Sequence, residues 1–268
     1  MKVLRGDTTD WLRPDSPTAL AVGVFDGVHA GHRAVIAALL EAAGRRRLTP
    51  GVVTFDPHPL EVVAPERAPA VLTGLEQRVE LLGDLGVELV AIVPFDVETR
   101  EWSADRFVDL LTNRLAAALL VVGEDFRFGR DRIGDAAFLV AAGLEQGFET
   151  IVLSLVGEPV PASSSAIRRM LAEGDVEAAA AALGRPHEAW GVIPEGEFAA
   201  LQLPAGIAVP APGRYLVTLG RGAGESSPAE ATIVHEGGPS VDLIPHPGSG
   251  PWRVRFLSVI DRSSGRGP

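Results

Sequence analysis

The chain has 268 residues, 46% hydrophobic and 22% charged, with a formal net charge of −11 and no cysteine. Such a composition belongs to a globular protein with room for one sizeable core or two smaller ones, and it excludes disulfides, thiolate catalysis and Cys-ligated metal centres. The acidic balance argues against a nucleic-acid partner, because phosphate backbones demand a positive footprint; since Lys2 is the only lysine, phosphate contacts deeper in the chain have to come from Arg, His, hydroxyls and backbone amides.

Met1–Pro14 carries Asp7, Asp10 and scattered Arg without an apolar core, so no secretion signal is expected. The longest apolar run, Leu115–Val122, falls well short of the ~20 residues of a membrane span. A cytoplasmic protein without a membrane partner is therefore expected.

In chain order, the apolar run Ala19–Phe25 stops at Asp26-Gly27 and an amphipathic pattern follows, so a buried strand feeds a tight turn and a helix. At this junction His29 and His32 stand three apart with Gly31 between them. On a first helical turn that spacing puts both imidazoles on one side, near unpaired backbone N–H groups. Arg33–Ala43 reads as a helix with Val35, Ile36, Leu39 and Leu40 facing inward, ending at Gly44 and Arg45-Arg46-Arg47. Thr49–Phe55 is a second strand, broken by Asp56-Pro57-His58-Pro59 at the end that faces the cleft in an open α/β sheet. Ala64–Leu72 reads as a loop. Leu75, Val79, Leu82 and Leu85 give a helical stripe closed by Gly86, and Glu88–Phe95 is a third strand.

Ser103 and Asp105 can begin a helix with Phe107, Leu110, Leu111 and Leu115 as its apolar positions. Ala117–Gly123 is a fourth strand, and the loop Glu124–Arg130 after it carries aromatic and charged residues. Ala136–Gln146 is helical and Thr150–Leu155 a fifth strand. This alternation, with near-continuously apolar strands, predicts a parallel sheet covered on both faces. One of Ser163, Ser164 and Ser165 is expected to cap a further helix carrying Arg168 and Arg169, and Glu173–Leu183 continues helically to Gly184-Arg185-Pro186.

Past Ala189 the helical period disappears. Short β-like runs, Ile207–Val209, Arg214–Leu219, Ala231–Val234, Val241–Ile244 and Trp252–Ile260, alternate with Gly/Pro/Ser clusters such as Gly220–Pro228 and Pro245–Pro251. They predict a small antiparallel barrel or sandwich, with a frayed tail over Arg262–Pro268. The boundary between two domains, 1–186 and 187–268, falls at Pro186.

From the residues alone, His29 and His32 admit three readings: core or capping histidines, metal ligands, or phosphate contacts. Metal ligation has the least support, because no third His or carboxylate stands at ligand spacing; no protein-made metal site is expected. The Gly-flanked strand-to-helix junction favours phosphate. The serines with Arg168 read as a capped helix with a solvated arginine or as a second anion site. Phe126 and Phe128 beside Asp125 read as a packed loop or as a place where a flat ring could stack.

Gly23-Val24-Phe25-Asp26-Gly27-Val28-His29-Ala30-Gly31-His32-Arg33 resembles the GxFDGVHxGHR signature of the FMN adenylyltransferase module of bacterial bifunctional riboflavin kinase/FAD synthetases. Thr54-Phe55-Asp56-Pro57-His58-Pro59, Val122-Gly123-Glu124-Asp125-Phe126-Arg127-Phe128-Gly129 and Ser163-Ser164-Ser165-Ala166-Ile167-Arg168 resemble that module's later motifs, in the same order, as does the segment from Gly174-Asp175 to Gly184-Arg185-Pro186.

The resemblance covers about residues 15–190 and implies a Rossmann-like HxGH nucleotidyltransferase domain of α/β class with a parallel sheet, followed by a small antiparallel β-barrel-like domain. It implies AMP transfer from ATP to FMN, giving FAD and pyrophosphate, with Mg²⁺ shared by the phosphates and water. It assigns His29, His32 and Arg168 to catalysis and Gly23, Phe25, Asp26, Gly27, Gly31, Gly123, Asp125, Ser164 and Ser165 to the nucleotide. His58, Phe126 and Phe128 fall to the flavin.

Two departures lie inside the module: Ser165 where Thr is usual, and Ala166 where a basic residue often stands. The C-terminal segment departs further. Gly191–Ile207 aligns with a kinase motif whose Thr and Asn hold Mg²⁺ and phosphate, but those positions read Ala205 and Ile207. The expectation is a kinase-like barrel without kinase activity. Two alternatives stay open: a nucleotidyltransferase retuned to another phosphorylated substrate or to CTP, and a non-catalytic flavin- or nucleotide-binding protein.

Overall fold

A computed structural model describes residues 1–154, 163–196, 200–222, 226–234 and 240–261. The tail Arg262–Pro268, Leu155 at the end of the fifth expected strand, and part of the Gly220–Pro228 cluster lie outside the described residues. The chain forms two compact units, Met1–Pro69 with Arg78–Pro161, and Ala70–Gln77 with Ala162–Pro268.

In the first unit the strands are β1 (Lys2–Leu4), β2 (Thr18–Val22), β3 (Thr49–Asp56), β4 (Leu89–Pro94), β5 (Ala117–Gly123), the two-residue ribbon β6 (Arg127–Phe128) and β7 (Gly134–Asp135), and β8 (Glu149–Leu153). The helices are α1 (Ala30–Arg46), α2 (Pro59–Val63), α3 (Leu75–Asp84), which crosses from one unit to the other, α4 (Val97–Arg100), α5 (Ala104–Asp109) and α6 (Ala136–Gln146). Six strands form one sheet in the order β1-β4-β3-β2-β5-β8, every pair parallel.

All residues of β2 are buried, as a strand covered on both faces requires. Leu20 and Val22 join Val53, Leu120 and Val122 in a cluster with Phe107, Val108 and Leu111, while α1 packs against β2, β3 and β5. From β2 the chain moves through β3 to β4 on one side, and β5 and β8 lie on the other. The order therefore reverses between β2 and β5. Open α/β sheets bind ligands outside the carboxyl ends of the strands at that point, and the loops leaving β2 and β5 carry two of the motifs singled out above.

The second unit begins with α7 (Ser164–Ala172) and α8 (Val176–Leu183) and continues as β9 (His187–Ile193), β10 (Gly213–Gly220), β11 (Ser227–Val234), β12 (Ser240–Ile244) and β13 (Gly250–Asp261). Its five-stranded sheet runs β12-β11-β10-β13-β9, all antiparallel. Bridges Val192↔Gln202 and Leu201↔Val241 make one short segment touch both edge strands, which gives the sheet its barrel character. Tyr215, Val217, Val254 and Phe256 fill the interior together with Ile167, Leu171, Val176 and Leu183 of α7 and α8. The change of texture near Pro186 marks the start of the antiparallel strands, whereas the packing groups α7 and α8 with them.

Four strands escape the sequence pattern, β1, β9 and the short ribbon partners β6 and β7, and Ile207–Val209 is not a strand. Ile207 forms only a single bridge to Val71, in a stretch interrupted by Pro204, Pro210 and Pro212 that cannot donate to a ladder.

Candidate functional site

The histidine junction starts where β2 stops pairing. Gly23 N–H still donates to Val53 O (3.1 Å), but Phe25 (φ 53°), Gly27 (φ 82°) and Val28 (φ 40°) all turn left-handed. Glycine suits that region, whereas a β-branched residue there is strained. The turn is held by Val28 N–H donating to Phe25 O (3.1 Å) and by full burial of the Phe25 and Val28 side chains. Asp26, between them, is buried too.

His29 leaves the turn in an extended conformation and caps α1, its Nδ1 accepting from His32 N–H at 3.4 Å. The proton of its neutral ring therefore sits on Nε2. Gly31, in the first turn of α1, is buried, and His32 brings its ring onto that of His29, with centroids 3.7 Å apart and planes 17° off parallel. Phe25 lies 5.1 Å from His32 on a tilted approach. Burial pushes the His32 pKa down to about 3, helped by the neighbouring His29 and the Arg78 guanidinium. Its Nδ1 is buried and has no hydrogen-bond partner among the described residues. Two stacked neutral imidazoles at the start of a long helix present N–H groups and a helix dipole to an anion.

Beneath the pair lies a residue the sequence analysis did not single out. Arg78 of α3 is 4% exposed. Its Nη1 donates to Val24 O (2.7 Å), Thr54 Oγ1 (3.2 Å) and Phe55 O (3.4 Å); Thr54 Oγ1 itself donates to Val24 O (2.9 Å). Burial lowers the Arg78 pKa, opposed by the carboxylates of Asp26, Asp56 and Glu61. In the sequence Arg78 looks like a solvated position of an amphipathic helix. The available signal was its place three residues after Leu75 and beside Val79, on the flank of the apolar stripe.

His58 caps α2: its Nδ1 accepts from Leu60 N–H (3.1 Å) and its own N–H donates to Glu61 Oε1 (3.1 Å), completing a capping box. Beyond β5, Phe126 N–H donates to Gly123 O (3.1 Å), and a Cβ on Gly123 would stand 2.9 Å from Asp125 Oδ1. Asp125 is exposed and Phe126 half-buried. Phe128 is a core residue, 7% exposed, between Phe107 (5.4 Å, tilted), Phe126 (5.4 Å, stacked) and Phe138 (5.8 Å, edge-on). Of the two aromatic candidates, Phe126 keeps surface for a ligand and Phe128 anchors the loop.

In the second unit Ser163 caps α7, its Oγ accepting from Ala166 N–H (3.1 Å). Ser164 and Arg168 are half-buried and Ser165 exposed, and Arg168 Nε donates to Ala70 O at 2.6 Å.

A parallel sheet whose order reverses beside a helix start carrying paired imidazoles defines an α/β nucleotidyltransferase domain. The model of the FAD synthetase family matches residues 13–166, and the chain belongs to that family. It is 39% identical over 199 residues to the bifunctional riboflavin kinase/FMN adenylyltransferase of Escherichia coli K12, covering 74% of this chain and 64% of that one. With the protein of the same description from Pseudomonas fluorescens it shares 39% identity over 233 residues, 83% of this chain and 74% of that one. This chain thus spans a little under two thirds of the E. coli relative. A crystal structure described as a macrolide-efflux protein from Streptococcus pneumoniae has the same fold, with a TM-score of 0.82 at 24% identity over 97% of this chain and 91% of that one.

Proposed function

We propose that this chain transfers the adenylyl group of ATP to the phosphate of FMN. An FMN phosphate oxygen attacks the α-phosphorus, the bond from that phosphorus to the oxygen bridging to the β-phosphate breaks, and FAD and pyrophosphate result. The observation that carries this reading is the stacked His29–His32 pair at the start of α1, beside the reversal of strand order. In-line transfer needs positioning and charge neutralisation rather than a covalent group. His29 donates from Nε2 to the phosphate oxygens and His32 acts as a neutral donor, while the amides of the first α1 turn add their dipole. Gly23 and Gly27 let backbone approach the nucleotide beside Phe25 and Asp26, and Gly123 and Asp125 contribute from the loop after β5. Phe126 offers the flavin a ring to stack on. Ser164 and Ser165 serve as phosphate contacts and Arg168 as a catalytic cation toward the phosphates, the roles that the motif resemblance gives them.

Among the described residues no three His, Asp or Glu side chains are grouped to hold a metal ion. Mg²⁺ belongs here to the nucleotide substrate, balancing the triphosphate charge, and no residue is assigned to hold it. The names of the relatives couple two activities; for this chain we propose the adenylyl transfer alone, because Ala205 and Ile207 stand where a kinase motif needs Thr and Asn.

The test is a pyrophosphate and flavin assay on the full chain with Mg²⁺ and either FMN plus ATP or FMN plus CTP. FAD and pyrophosphate from the ATP pair are expected. Pyrophosphate from neither pair overturns the reading, and pyrophosphate from the CTP pair alone replaces ATP by CTP in it.

A further inference from the structure

Arg78 is buried deeper than an arginine is left without a reason, since desolvating a guanidinium is costly unless its hydrogen bonds are made. Only Nη1 has partners in the described contacts, and Nε is buried with none. Those partners lie at two neighbouring places: Val24 O, just beyond β2 and one residue before left-handed Phe25, and Thr54 and Phe55 near the end of β3. Thr54 Oγ1 donates to the same Val24 oxygen. The carbonyl that starts the histidine turn is thus fixed by two donors, both anchored in elements other than its own. We propose that Arg78 is a positioning residue: by tying the carbonyls of Val24 and Phe55 it sets the turn that carries His29 and His32.

The charge environment agrees. Facing Arg78 are Asp26 in the turn, Asp56 at the end of β3 and Glu61 on α2; facing His32 are His29 and Arg78. A permanent cation under the pair holds carboxylates near it and disfavours a proton on His32. The same side chain therefore sets where the imidazoles stand and adds to the burial that keeps His32 neutral. The kinetic part of this inference rests on the adenylyl-transfer reading; the rest does not.

The experiment compares the wild type with Arg78→Lys and Arg78→Met. The imidazole Cε1–H resonances of His29 and His32 are followed from pH 4 to 8, and kcat and KM for ATP are measured with FMN. In Arg78→Met both resonances should move, the His32 midpoint should rise, and kcat should fall about 10²-fold, as for a displaced catalytic group, with KM for ATP within about threefold. Arg78→Lys keeps the charge but loses the planar fork: the His32 midpoint should stay low, the shifts should still change, and kcat should recover part of the loss. Should Arg78→Met fail to fold, Arg78→Lys decides, and wild-type shifts with wild-type kcat there overturn the proposal. A fall in kcat with unmoved histidine resonances in both variants also overturns it, because a merely structural loss would look like that. If the wild type makes no pyrophosphate, adenylyl transfer fails as a function and the resonances alone judge Arg78.

Discussion

His32 holds its imidazole neutral next to the place proposed for a triphosphate, and that has a measurable thermodynamic consequence. In the unfolded chain the ring takes up a proton near its ordinary value of 6.5, whereas in the fold it resists protonation down to about 3. Between those values the unfolded state binds more protons, so the contribution of His32 to stability is complete above pH 6.5 and is lost as the pH falls toward 3. Urea unfolding midpoints at pH 7 and pH 4.5, compared for the wild type and His32→Gln, isolate this group from the carboxylates that titrate in the same window. The wild type should lose more stability on acidification than the variant. Equal losses would show that the buried ring is not the acid-sensitive group. Arg78 shows the other side of reasoning at this scale: a cation that reads as surface in a list of residues is held under the site by carbonyls from segments 23 and 54 positions away, and no local pattern carries that information.

At the scale of elements, the ribbon β6–β7 is shaped by what it must clear. A Cβ on Gly134 would stand 2.6 Å from the Phe128 ring, which is already confined by Phe107, Phe126 and Phe138. Gly134→Ala should therefore overpack the core and cost about 1–3 kcal/mol, read as a lower urea midpoint; an unchanged midpoint would mean that the ring has room to move. Elements whose signal is local were legible. β5 and α6 follow the expected bounds, Ala117–Gly123 and Ala136–Gln146, the first because it is continuously apolar and the second because Asp135 caps it and Gly147 ends it. β9 was not legible, because it opens with two polar residues satisfied at long range: His187 by Ala208 O (2.9 Å), and Glu188 by Arg255 and Gln77. The capping box of α2 hid in a Pro-rich break for a related reason, since Pro at a first helical position looks like an interruption until its helix is seen.

At the scale of the whole chain, family membership covers the parallel sheet and its histidine turn, and the question left to the antiparallel unit is whether it retains chemistry of its own. Its interior is filled: Tyr215, Val217, Val254 and Phe256 are fully buried, with the Tyr215 hydroxyl donating to Ala211 O (2.7 Å). Ile207, at the position where the resembled kinase motif has Asn, is half-buried and packs against this apolar cluster. Ala205 is exposed but carries no hydroxyl. A metal-bound phosphate needs hard oxygen ligands, and neither side chain supplies one. Riboflavin with ATP and Mg²⁺ should accordingly yield no FMN under conditions where the same preparation converts FMN and ATP to FAD, with products separated by chromatography. FMN appearing from riboflavin at a rate comparable to that of FAD formation would show that ligands other than these two positions hold the phosphate, and that the antiparallel unit is an enzyme in its own right.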